Sequence, residues 1–328
     1  MRRRAAVVFV SSLLAVPAVA GERVVFGTDW KAQAEHGGFY QALATGIYAR
    51  HGLDVTLRQG GPQVNHAQLL AAGRLDFNMA PNGFVPLNMV REGIPVVAVA
   101  AVFQKDPFVL IAHPGQGRDT LAALKGQPIF IGADTRVGPW LFLKARFGYG
   151  DEQIRTYTFN VAPFLANPKS VQQGYLTSEP YTIEKQGGVR PVVHLLADSG
   201  YQSYAALIQA RTETVERRPD LVQRFVDASL EGWTSYLDGD PAPAHALIKK
   251  DNQDMTDDLL AYGRGQLKGR RIVTGDDPAL GLGSMTEARW KAFFEIMAGQ
   301  GLYPKDMAWR KAYTLRFLKP NAAAAPRR

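Results

Sequence analysis

Short apolar runs alternate along this chain with segments of helical period, and that alternation predicts its elements. An apolar strand at 24–26 breaks into a loop carrying Asp29, Trp30, Glu35 and His36. A helix is expected over 38–50, with Phe39, Leu43 and Ile47 on one face. Residues 53–57 alternate as a second strand, and Gly60-Gly61-Pro62 turns the chain into a helix that Gly73 stops. A third strand, 75–79, runs into the loop 80–83 that carries Asn82. A helix to Arg91 and a buried strand over 96–103 complete the series. This β-α-β-α-β-α-β order predicts a parallel sheet with right-handed crossovers.

A second series follows. Strands are expected at 107–112, 128–132, 154–159, 174–178 and 192–196, with helices at 120–124, 139–147 and after Glu179-Pro180-Tyr181. From about Ala205 the pattern is mostly helical. The longest segment, 219–237, places Leu221, Phe225, Ala228, Leu230 and Trp233 at core spacing. Such a block cannot bury its apolar faces alone and is expected to pack on the first sheet. The predicted fold class is therefore α/β, with two lobes. Lobe one comprises 21–104 and 202–319, and lobe two 105–201. The chain crosses near Gln104 and returns near Gly200, so a hinge and a ligand cleft lie between the lobes.

Composition narrows the class. With 46% hydrophobic and 21% charged residues, the chain has a globular profile. Residues 1–20 read as a secretory signal peptide: Arg2-Arg3-Arg4, an apolar stretch, then Ala18-Val19-Ala20 as a cleavage site. Residues 320–328 read as a disordered Ala/Pro/Arg tail. There is no cysteine, which excludes disulfides, thiol nucleophiles, Cys-ligated metals and a lipid-bearing N-terminal cysteine. A periplasmic location is expected. The formal charge is +8, and three of the positive charges lie in the leader. The remaining excess is scattered and gives no nucleic-acid footprint.

Candidate chemistry gathers where strands hand over to helices, at the edge where open α/β sheets bind ligands. Trp30 and Trp140 occupy matching post-strand positions, and they, or Trp30 with a tyrosine, could sandwich a planar ligand, although some of the aromatics must be core. Phe39 is the aromatic at the first helix start and fits the core as well as the cleft. Glu179 opens a helix, where a carboxylate favours the dipole and could also face a ligand amino group. Arg136, before a second helix start, is an anion site or a surface arginine. Asn82 and Asn160 follow strands, where Asn serves turns as readily as ligands. His36, Gln104 and Tyr181 complete the candidate ligand-binding set. No His or carboxylate spacing suggests a metal, and no nucleophile elbow, phosphate loop or dinucleotide fingerprint is present.

The stretches DWKAQAEHGGFYQALATGIYARHGLDVTLRQGG, LLAAGRLDFNMAP and REGIPVVAVAAVFQKDPFVLIA, with GYLTSEPY, resemble one family. It is the periplasmic solute-binding family that includes the thiamine-pyrimidine-precursor binders and, more distantly, the alkanesulfonate and taurine binders. The resemblance covers 23 to about 237. It implies the type II periplasmic-binding-protein fold, an interlobe cleft and an inner-membrane ABC permease with its ATPase as partner. It also implies a glutamate, here Glu179, against an amino-pyrimidine edge. One branch of the family is enzymatic and uses a Cys-rich motif absent from this chain. The expectation is thus a monomeric binding protein, not an enzyme, without cofactor. Its ligand would be a small flat heterocycle such as a thiamine pyrimidine precursor or riboflavin. The alternatives are a binder of sulfonates or other small organic anions, and an exported enzyme on the same fold.

Overall fold

The computed structural model describes residues 21–318, apart from Gln63 and Asp134. The expected leader and the 320–328 tail lie outside the described residues. Ten strands form two five-stranded sheets. The first holds β1 (Glu22–Gly27), β2 (Leu53–Arg58), β3 (Phe77–Asn82), β4 (Val96–Phe103) and β10 (Ala205–Arg211), in the order β2-β1-β3-β10-β4. The second holds β5 (Phe108–Ala112), β6 (Ile129–Ile131), β7 (Ile154–Thr156), β8 (Val171–Tyr175) and β9 (Val192–Leu195), in the order β7-β6-β8-β5-β9.

Neither sheet is wholly parallel. β1 pairs in parallel with β2 and β3, but β10 enters antiparallel between β3 and β4. In the second sheet β5, the first strand after the crossing, sits antiparallel between β8 and β9. The strand that carries the chain between lobes therefore runs against its neighbours in both sheets. This corrects the all-parallel expectation for lobe one, and the mostly helical segment expected from about Ala205 opens with a strand. Ala205 to Ala210 are all buried, so both faces of β10 are covered and no helical or alternating period marks it.

Helices cover the sheets: α1 (Gly37–Ala44), α2 (Ile47–Arg50), α3 (His66–Ala71), α4 (Phe84–Arg91), α5 (Pro139–Phe147), α6 (Ala162–Ala166), α7 (Glu179–Gly187), α8 (Thr212–Arg217), α9 (Pro219–Asp238), α10 (Ala242–Asp251), α11 (Asp257–Gly269) and α12 (Glu287–Gly299). The expected 38–50 helix is two helices because Gly46 adopts φ +69° between them. The long helix α9 packs its buried stripe, from Leu221 through Phe225 to Trp233, on α1 and the first sheet. Close approach there requires glycine. A Cβ at Gly37 would lie 2.2 Å from the Tyr236 ring, and one at Gly38 2.2 Å from Trp233. One apolar core, with Phe26, Phe39, Phe77, Phe225 and Trp233, fills this side, and a second, with Phe84, Trp140, Tyr201, Trp290 and Phe293, fills the other.

Candidate functional site

A cleft of about 820 Å³ lies between the sheets. Its walls are the segments that leave the C-terminal ends of parallel strands. The loop after β1 supplies Asp29 and Trp30, the end of β3 Asn82, the turn after β6 Arg136, the loop after β7 Tyr157 and Phe159, and the turn after β8 Glu179. Strand carbonyl ends and helix starts converge at this edge, so both backbone and side-chain polar groups can point at a ligand.

Two aromatic rings span the cleft. Trp30, from the first lobe, meets Phe159, from the second, with ring centroids 4.7 Å apart and planes at 49°. Phe159 also packs on Tyr157 at 5.1 Å. Phe159 has φ +60° and remains 42% exposed, so its backbone is held in a costly conformation without a burial reward. That conformation carries its ring onto Trp30. A ligand ring between the two would need centroids about 7–8 Å apart, twice the optimal carbon–carbon separation. The two rings must therefore separate before a sandwich can form.

The polar lining is rich in acceptors. Among the described residues four carboxylates, Asp29, Glu35, Asp106 and Glu179, face one guanidinium, that of Arg136. Glu35 is buried, and the Thr177 hydroxyl donates to its Oε1 from the other lobe. Burial raises the Glu35 carboxyl above the ordinary carboxylate range, and the neighbouring Glu179 adds to this, while the Thr177 bond and His36 oppose it. Glu179 accepts from the Tyr175 N–H at 2.8 Å and from the Tyr157 hydroxyl at 3.3 Å. It thus knots the start of α7 and also lines the cleft. His66 donates through Nδ1 to the Thr28 carbonyl at 2.7 Å, and burial lowers its affinity for a second proton. Its Nε2 is left as another acceptor. Asn78 is buried with its Oδ1 unpartnered among the described residues.

Five of the ten candidates named from sequence line this cleft: Trp30, His36, Asn82, Arg136 and Glu179. His36 is already spent, since Nε2 bonds Asp29 at 2.9 Å and Nδ1 accepts from the Gln33 N–H at 3.3 Å. It fixes the loop. Asn82 Oδ1 accepts from the Phe84 N–H at 3.2 Å, capping the turn into α4. Arg136 is exposed and makes no ion pair among the described residues.

The other five lie elsewhere. Phe39 is fully buried against Phe26 and Trp233, because the first turn of α1 points it into the core. Trp140 is 1% exposed and donates through Nε1 to Asp151 at 2.8 Å, so it cannot oppose Trp30. Gln104 donates to the Ala101 and Ser284 carbonyls, both at 2.9 Å, and tightens the crossing. Asn160 accepts from the Ala162 N–H at 2.8 Å and starts α6. Tyr181 packs on Tyr262 of α11 at 5.1 Å. Reading missed Asp106, Tyr157 and Phe159. Asp106 has one available signal, a lone acid between the apolar segments that became β4 and β5.

The fold and this cleft define a type II periplasmic-binding-protein architecture, and the match to known proteins agrees. Residues 33–244 match the NMT1/THI5-like family, so the chain belongs to that family. The riboflavin-binding protein RibY of Chloroflexus aurantiacus is 24% identical over 289 residues, spanning 85% of this chain and 81% of that one. The periplasmic aliphatic sulphonate-binding protein SsuA of Escherichia coli superposes with a TM-score of 0.66 at 15% identity, covering 91% of this chain and 92% of its own. The desulfurization enzyme DSZB superposes with a TM-score of 0.58 at 14% identity, covering 90% and 97%. Enzymes as well as binding proteins thus use this fold.

Proposed function

We propose that this chain is the periplasmic solute-binding component of an ABC importer, and that it captures a small flat heterocycle bearing N–H donors. In this reading 21–104 with 202–319 closes against 105–201, and the closed monomer is recognised by an inner-membrane permease with its ATPase. Closure follows from tighter ligand binding to the closed form than to the open one.

The observation that carries the ligand class is the excess of acceptors over cations in an aromatic cleft. Four carboxylates face one arginine, and two buried cleft acceptors, Asp106 Oδ2 and Asn78 Oδ1, have no donor among the described residues. A ring with amino or imide N–H groups supplies the missing donors and stacks on Trp30 or Phe159. A sulfonate group brings only acceptors to a wall whose unpartnered buried groups are acceptors too. Arg136, the one arginine among the described lining residues, favours the anion reading. The cleft volume is in the upper part of the range of about 300–1,000 Å³ typical of small-molecule sites, so a fused ring fits as well as a single pyrimidine. The name of the RibY relative supports a heterocycle, and thiamine pyrimidine precursors stand beside riboflavin as ligands.

A thermal-shift screen with hydroxymethylpyrimidine, formylaminopyrimidine, thiamine, riboflavin, taurine and alkanesulfonates tests the proposal. Stabilisation by a heterocycle is the expected result, and stabilisation by sulfonates alone would overturn it.

A further inference from the structure

Asp106 stands at the first crossing between lobes, in the gap between β4 and β5. The residue is 1% exposed and lines the cleft. Its Oδ1 accepts from the Phe108 N–H at 3.0 Å, which shapes the turn into β5. Its Oδ2 is buried and has no partner among the described residues. The Tyr201 hydroxyl beside it is also buried and makes no bond of ordinary geometry among the described residues, yet lies near enough to lower the Asp106 carboxyl. The other groups whose charge reaches this place are acids or phenols. Asp29 acts on Asp106 itself, and burial, with Asp106, Asp29 and Glu35 adding to it, holds the Tyr175 phenol protonated. His36 is committed to Asp29, and Arg136 is exposed at the rim. A buried carboxyl with one empty oxygen costs folding free energy. An asparagine or serine would accept the Phe108 N–H equally well, so the turn alone does not require an acid.

We propose that Asp106 is the specificity-determining residue of the cleft, its free Oδ2 accepting an N–H of the bound ligand. The inference rests on the heterocycle reading given above, which supplies a donor-bearing ring. Oδ2 is buried, so one charge-assisted bond there discriminates strongly between a ligand with an N–H at that place and one without. Asn78 Oδ1, also buried and unpartnered in the same cleft, offers a second acceptor to the same class of ligand. Burial pushes the Asp106 carboxyl up to about 7, aided by Asp29 and opposed by the Phe108 N–H and by Tyr201. A donor bonded to Oδ2 therefore favours loss of that proton near neutrality.

The test is calorimetric titration of wild type and Asp106→Asn with hydroxymethylpyrimidine and with riboflavin, alongside thermal unfolding of both ligand-free proteins above neutral pH. Asn keeps the acceptor for Phe108 and turns the free acceptor into a donor. The expected result is affinity at least about tenfold weaker in the variant, with ligand-free stability equal to or above wild type. Wild-type affinity in the variant would overturn the role of Asp106 and leave the heterocycle reading standing. Weak binding accompanied by a large loss of ligand-free stability would show a structural role and overturn it too. If wild type binds neither probe, the heterocycle reading itself fails and the inference falls with it.

Discussion

The ring of Trp30 touches that of Phe159 across the cleft, 4.7 Å between centroids. One comes from each lobe, so the contact bridges the two walls of the cleft. Phe159→Gly keeps the positive φ without strain and removes the ring. Its folded stability should rise by up to about 1 kcal/mol, while affinity for a flat heterocycle falls. Trp30→Ala should lower that affinity at least as much. Calorimetric titration and chemical denaturation of the three proteins check both statements.

Thr177 donates to the buried Glu35 carboxyl from the opposite lobe. Thr177→Val preserves shape and removes the donor, leaving a buried acceptor without it. The expected cost is about 1–3 kcal/mol, read by urea denaturation. Glu35→Gln still accepts from Thr177 and should cost less. Unchanged stability in Thr177→Val would show that the lobes do not depend on this bond.

The pH dependence has a definite sign. The folded carboxyl of Asp106 is held at about 7, above its unfolded value. Between the ordinary aspartate range and that value the folded chain binds the extra proton, so stability falls as pH rises through the window. Glu35, raised by burial, acts in the same direction. Asp106→Asn removes its share. The stability difference between variant and wild type should therefore grow in favour of the variant as pH rises toward neutrality, and then level off. Denaturation midpoints across the window measure it.

A Cβ at Gly38 would stand 2.2 Å from the Trp233 ring, which is fully buried. Gly38→Ala must displace α1 from α9, and it should lose about 1–3 kcal/mol or more. Thermal unfolding tests this. A neutral result would mean that the helix pair is loosely packed.

Much of this was legible in sequence, for physical reasons. Strand-to-helix handovers are local patterns, so the segments bearing Trp30, Asn82, Arg136 and Glu179 could be placed at one sheet edge. The aromatic identity of Phe39 and Trp140 misled. Each sits in the first turn of a helix, where side-chain direction depends on what the helix packs against. The position of β10 between β3 and β4 is a long-range pairing that no local period encodes. Asp106 and Phe159 gain meaning only from the opposite lobe, Phe159 through Trp30 and Asp106 through the carboxylates around Tyr175.

The central claim is that an acceptor-rich cleft selects a donor-bearing ring over an anion. Calorimetric titration of wild type and Arg136→Ala with hydroxymethylpyrimidine, riboflavin, taurine and an alkanesulfonate tests it most directly. The account predicts saturable binding of a heterocycle, little changed by Arg136→Ala and by added salt, and no heat from the sulfonates. Tight sulfonate binding that weakens with salt and disappears in Arg136→Ala, with neither heterocycle bound, would contradict it.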